Sequence, residues 1–131
     1  MNRKKDDQSS VDLNQVEKWL ENYFLDPLTS YCDVTQFRID LYETEKDWIV
    51  EAMLEDYNSA EISVKTEDNK LIITALKKLK NVPGQKKIRT IDFPFPIIKQ
   101  KINAVFTNGI LEVFISKTEK GLGKNRFITL P

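Results

Sequence analysis

The sequence predicts an all-β protein: an antiparallel, immunoglobulin-like β-sandwich with a short amphipathic helix before it and a flexible tail after it. Three observations carry that reading. From Phe37 onward, apolar and polar residues alternate in short runs, the period of strands with one face buried. Turn-forming clusters separate the runs, with no helical pattern between them. In Ala104-Val-Phe-Thr-Asn-Gly-Ile-Leu-Glu-Val-Phe-Ile115, the dipeptide Asn108-Gly109 joins two alternating runs. Asn-Gly supplies the positive φ angles of a tight hairpin turn, so the flanking runs pair antiparallel.

Taken in order, residues 1–10 are charged and carry too little apolar surface to offset the entropy of ordering, so disorder is expected there. Val16, Trp19, Leu20, Tyr23 and Phe24 then fall on one helical face. Asp12 is the expected N-cap, with Gln15 three residues on, and Asp26-Pro27 is expected to close the segment. The aromatic face has two uses: covering one end of the core, or engaging partners and unfolded chains. The domain boundaries that follow are 1–36 for this arm, 37–117 for the sandwich and 118–131 for the tail.

Within the sandwich, Phe37, Ile39 and Leu41 alternate with polar neighbours. Trp48, Val50, Ala52 and Leu54 form the next row, then Ile62 and Val64, then Leu71, Ile73 and Ala75. Turns are expected at Glu43–Asp47, Glu55–Ser59 and Glu67–Asn69, and a break at Val82-Pro83-Gly84. The next run leaves its buried face open, because Ile88 lies on one side and Ile91 and Phe93 on the other. Phe93-Pro-Phe-Pro96 stops it, since proline cannot donate into a ladder.

The composition bounds function. At 131 residues the chain is expected to be one domain with room for a sizeable core. Twenty basic and twenty acidic side chains cancel, so no global field draws it to nucleic acid or membrane. The balance is uneven along the chain: residues 40–69 are strongly acidic and residues 77–101 strongly basic. Solvated faces are the plainer account; attraction between strips on different copies is the sharper one. There is no histidine and a single cysteine, Cys32, so no disulfide forms within the chain and no site built on His and Cys clusters is expected. No apolar run approaches a membrane span, and the N-terminus lacks the apolar stretch of a signal peptide, so an intracellular, cytoplasmic location is expected. An enzyme is not expected, nor any cofactor. The carboxylates fall in turns or on polar strand faces, and Gly121-x-Gly123 lacks the context of a phosphate loop. Asp40 with Glu51 as a pair, and Trp48 with Tyr57 as a glycan platform, are weaker ideas that spacing alone does not support.

The run from Ala104 to Val113, with its Ala, Asn-Gly, Leu and Val at these spacings, resembles a signature of the small heat-shock protein (α-crystallin domain) family. Similarity extends over residues 37–117. Ile39-Asp-Leu-Tyr-Glu-Thr44 looks like the family's opening strand, Asp47–Leu54 like its next, and Glu61–Thr74 like the pair that follows. Phe93-Pro94 stands where the family has Leu-Pro. Trp19-Leu20 and Phe24-Leu25-Asp26-Pro27 are similar to the family's spore-coat members.

The resemblance implies a protein without an active site that holds partly unfolded or assembling proteins without ATP. Trp19, Leu20, Tyr23 and Phe24, with groove edges at Ile62, Val64 and Val105, are the expected contacts for clients or for self-association. It implies a dimer contact at Arg89, and a tail anchor at Ile128-Thr-Leu130 that docks on a neighbouring copy; folding back onto the chain's own domain is the alternative use of that tail. A structural role in a spore coat is the other function implied. Three departures qualify the match. Only Leu79 to Gln85 separate two strands between which most bacterial members carry an exchanged strand, which puts the usual dimer and the role of Arg89 in question. Glu55-Asp56 replaces an expected Pro-Gly turn, and the anchor is Ile-x-Leu.

Overall fold

In the computed structural model, residues 12–79 and 82–130 are described; the expected disorder of residues 1–10 lies outside them. Among the described residues, eight strands make two four-stranded antiparallel sheets. In chain order they are β1 (Ile39–Glu43), β2 (Asp47–Met53), β3 (Ile62–Glu67), β4 (Lys70–Leu79), β5 (Val82–Asp92), β6 (Gln100–Thr107), β7 (Ile110–Lys120) and β8 (Arg126–Ile128). One sheet has the order β1-β2-β7-β6 and the other β5-β4-β3-β8.

Alternation places one row of each strand between the sheets, as the sequence predicts. Val50, Ala52, Leu111, Val113 and Ile115 come from one sheet, and Val64, Leu71, Ile73, Ala75 and Ile91 from the other; all are buried. Asn108-Gly109 turns β6 into β7, both residues at positive φ, with Ala104 opposite Val113. Gly109 is needed there twice over: its φ is +79°, and a Cβ would lie 2.8 Å from the Glu55 Cα. Trp48 is buried against Phe95, with ring centroids 4.7 Å apart, which removes it as a glycan platform. Asp40 and Glu51 do stand opposite each other, across β1 and β2.

Two expectations are incomplete. Helix α1 (Leu13–Leu25) forms as predicted, with Asp12 accepting from the Asn14 and Gln15 amides, and it closes at Asp26 as expected, but helicity resumes at once. Asp26 caps a second helix, α2 (Pro27–Thr35), whose first position Pro27 occupies. Proline costs nothing at that position, because its missing N–H would have no intrahelical partner anyway. The tail is also less free than expected. β7 runs to Lys120, the Gly121 and Gly123 amides bond to Lys99 and Ile98 carbonyls, and β8 then pairs with β3, Val64 facing Ile128.

The open question about the strand at Ile88 resolves clearly. Arg89, Ile91 and Phe93 form the inward row, while Ile88 is 40% exposed. An arginine therefore stands in a row that otherwise points into the core.

Candidate interaction surfaces

The sandwich has two borders. On one, β1 of the first sheet lies near β5 of the second, and the helices close over both. On the other, β6 lies beside β8.

Arg89 organises the first border. Its side chain is 5% exposed, and its guanidinium makes three bonds within the chain. Nη1 donates to Asp33 Oδ1 at 2.7 Å and to the Phe37 carbonyl at 2.6 Å, and Nη2 donates to the Tyr23 hydroxyl at 2.8 Å. Asp33 and Tyr23 belong to α2 and α1, so one buried cation ties both helices to β5. Burial pushes the Tyr23 phenol up to about 12, against the opposing pull of the Arg89 charge. The same helices reach both sheet edges: the Ile39 amide of β1 donates to Asp33 Oδ1 at 3.2 Å, and the Ile88 amide of β5 donates to Gln36 Oε1 at 3.0 Å.

The apolar part of this contact is an aromatic column. Trp19 lies 4.6 Å from Phe93 between ring centroids, Phe93 touches Phe95, and Phe95 reaches Trp48. Trp19, Leu20 and Tyr23 are half-buried against the core, and Val16 is fully buried. The sequence predicted one face with two uses; the structure divides it. Trp19, Leu20 and Tyr23 pack inward, whereas Phe24 stays exposed with Leu25, Leu28, Tyr31 and Val34. α2 buries none of its residues. Leu25 is 79% exposed and Val34 85%, so the two helices carry much of the exposed apolar surface among the described residues.

At the other border, the expected groove edges Ile62 and Val64 are buried, because their side chains belong to the inward row. The main-chain edge beside Val64 is taken up by the chain's own β8, with Ile128 and Leu130 half-buried on the core. The tail thus takes the second of its two uses in this single chain. Val105 remains exposed on β6, and Ile102, Val105, Leu122 and Phe127 line a shallow groove between β6 and the docked tail. Among the described residues, no group of His, Cys, Asp or Glu is placed to hold a metal ion, and no helix is long and apolar enough to cross a membrane.

Two four-stranded antiparallel sheets packed face to face, with two short helices at one border, define an immunoglobulin-like β-sandwich. The Hsp20/alpha crystallin family model matches residues 40–130, and the chain belongs to that family. Among curated proteins it is similar to Spore coat protein M of Bacillus subtilis (strain 168), with 30% identity over 111 residues, 84% of this chain and 80% of that protein. Among solved structures it resembles the Del-C4 mutant of hsp14.1 from Sulfolobus solfatataricus P2, at TM-score 0.53 and 24% identity, covering 77% of this chain and 95% of that one. It also resembles HSP18.5 from E. histolytica, at TM-score 0.50 and 15% identity, covering 62% of this chain and 86% of that one. These two likenesses bear on the fold. Family membership supports a chaperone-like role.

Proposed function

We propose that this protein is an ATP-independent holdase that binds partly unfolded polypeptides and associates with itself. The observation that carries this reading is the set of exposed apolar side chains on the two helices, Phe24, Leu25, Leu28, Tyr31 and Val34, on elements that contribute little to the core. An unfolded chain presents apolar segments that gain about 25 cal/mol for each Å² removed from water, so such side chains gain by covering them. Val105 and the groove beside the docked tail offer a second contact, and exchange of Ile128 and Leu130 onto a neighbouring copy would serve self-association.

The test is suppression of light scattering from a heat-aggregating enzyme. The unaltered protein at several-fold excess is expected to suppress scattering. Leu25→Ser, Leu28→Ser and Val34→Ser together are expected to lose most of that effect while shifting stability little, since all three side chains are exposed. Equal suppression by the altered chain would remove the helices as the client surface.

The similarity to a spore coat protein favours a second reading, in which the partners are coat proteins and assembly itself is the role. Edge strands of an open sandwich suit ordered pairing. A mass that climbs in a ladder with concentration favours this reading; a discrete oligomer counts against it.

A further inference from the structure

We propose that the cleft between the two helices and β5 is a binding site for a small neutral molecule with an apolar body and a carbonyl acceptor, held by the unspent Nε–H of Arg89. The proposal rests on neither client holding nor assembly.

The donor comes first. A guanidinium has five N–H groups, and Arg89 spends three: two from Nη1, on Asp33 and the Phe37 carbonyl, and one from Nη2, on Tyr23. Nε makes no hydrogen bond among the described residues, although the side chain is only 5% exposed. A charged donor left dry at that depth would be costly. It is not dry. Among the described residues, Trp48 Nε1 is the one side-chain nitrogen or oxygen that is both fully enclosed and without a partner, so Arg89 Nε keeps an opening. The cleft supplies it, since Arg89 forms part of its wall.

The cleft has the size and lining of a small-molecule site. It holds about 400 Å³, within the range of roughly 300–1,000 Å³ for such pockets, and lies where helices and sheet meet. Trp19, Leu28 and Ile88 give it apolar wall. Leu28 is 62% exposed and Ile88 40%, so an occupant removes apolar surface from water. Asn22, Thr29 and Thr90 add neutral hydrogen-bonding groups.

The charges select the acceptor. Asp33 already lies 2.7 Å from the guanidinium. Asp26 and Asp92 add two carboxylates to the wall. Lys70 answers Asp92 at 2.8 Å, whereas Asp26 accepts from the Leu28 amide and has no ion-pair partner among the described residues. An incoming carboxylate or phosphate would join three like charges. A carbonyl oxygen accepts from Nε–H without adding to them, in place of solvent.

Phenylacetamide, a phenyl ring with a neutral carbonyl, is the probe. Titrated into the full chain, it is expected to shift the main-chain amides of Asn22, Thr29, Ile88 and Thr90 and to leave Leu111 and Val113 unmoved, saturating at about millimolar concentration. Phenylacetate, its anionic counterpart, and toluene, the ring without the acceptor, are expected to bind at least about tenfold more weakly. Cys32, the single cysteine of the chain, lines the same cleft, so bound phenylacetamide should slow its alkylation by N-ethylmaleimide. Arg89→Lys keeps a cation but loses Nε–H, and should weaken binding by at least about tenfold, with the Leu111 and Val113 amides as the control for folding. The proposal is overturned if phenylacetamide leaves both the cleft amides and the Cys32 rate unchanged. It is also overturned if phenylacetate or toluene binds there as tightly, or if folded Arg89→Lys binds as the unaltered chain does. Should Arg89→Lys fail to fold, the three probes and the Cys32 rate decide alone. Light scattering reads client holding separately, so failure of the cleft and failure of the holdase reading are distinguishable.

Discussion

Leu111→Ala is expected to remove about 2–5 kcal/mol of folding stability, with the upper half of that range the expectation here. Leu111 is fully buried on β7, an inner strand paired on both sides: Ala52 of β2 stands opposite it on one and Phe106 of β6 on the other. With ladders holding the backbone on both flanks, the sheet cannot collapse into the space that the lost side chain leaves. The residual cavity then adds its own cost to the lost transfer free energy. Urea unfolding followed by Trp fluorescence measures this. A loss under about 1 kcal/mol would mean that the Asn-Gly hairpin does not face a close-packed interior.

Arg89→Met is expected to cost about 2–4 kcal/mol, somewhat less than breaking a fully buried pair. The reason is the partner: the Asp33 side chain is 29% exposed, so water takes over part of the lost interaction. The Phe37 carbonyl, by contrast, loses its donor inside a buried contact. Arg89→Lys should recover only part of the loss, because an ammonium cannot reproduce the fork that reaches Asp33, Phe37 and Tyr23 together. A pH series adds an independent check. The Tyr23 phenol has a folded pKa of about 12, above its ordinary value of 10.0. The folded state therefore keeps that proton longer than the unfolded one. Its contribution is fully present below pH 10 and is lost as pH rises toward 12. Tyr42 is also pushed up to about 12, by its hydrogen bond to Glu51, so the comparison is with Tyr23→Phe, which should flatten only the Tyr23 part of the slope. Arg89→Met as stable as the unaltered chain would contradict the buried network.

The sandwich was legible because its signal is local and repeated. A period of two fixes which side of each strand is buried, and Asn108-Gly109 fixes the register of β6 against β7. Family resemblance then narrowed the sandwich to a type. What stayed hidden depended on contacts between distant parts of the chain. Asp26-Pro27 reads as a stop and does close α1, yet the same pair also serves as cap and first-turn proline of a second helix, which buries none of its residues and so leaves no apolar periodicity to read. Arg89 in an inward row looks like a fault in the strand until Asp33 and Tyr23, more than fifty residues earlier, close over it. Ile62 and Val64 were read as groove edges by analogy, yet their own alternation with Ser63 and Lys65 already marked them as inward. The tail permitted either partner, since a segment as short as Arg126–Ile128 carries no information about whose strand it joins.

The central claim is that the exposed apolar side chains of the two helices, more than the sandwich, grip other polypeptides. Amide exchange on the full chain, with and without a heat-unfolded client, tests it most directly. New protection strongest over Leu25–Val34 is the expected result. Protection that appears on the sheets while this segment stays unchanged would contradict it.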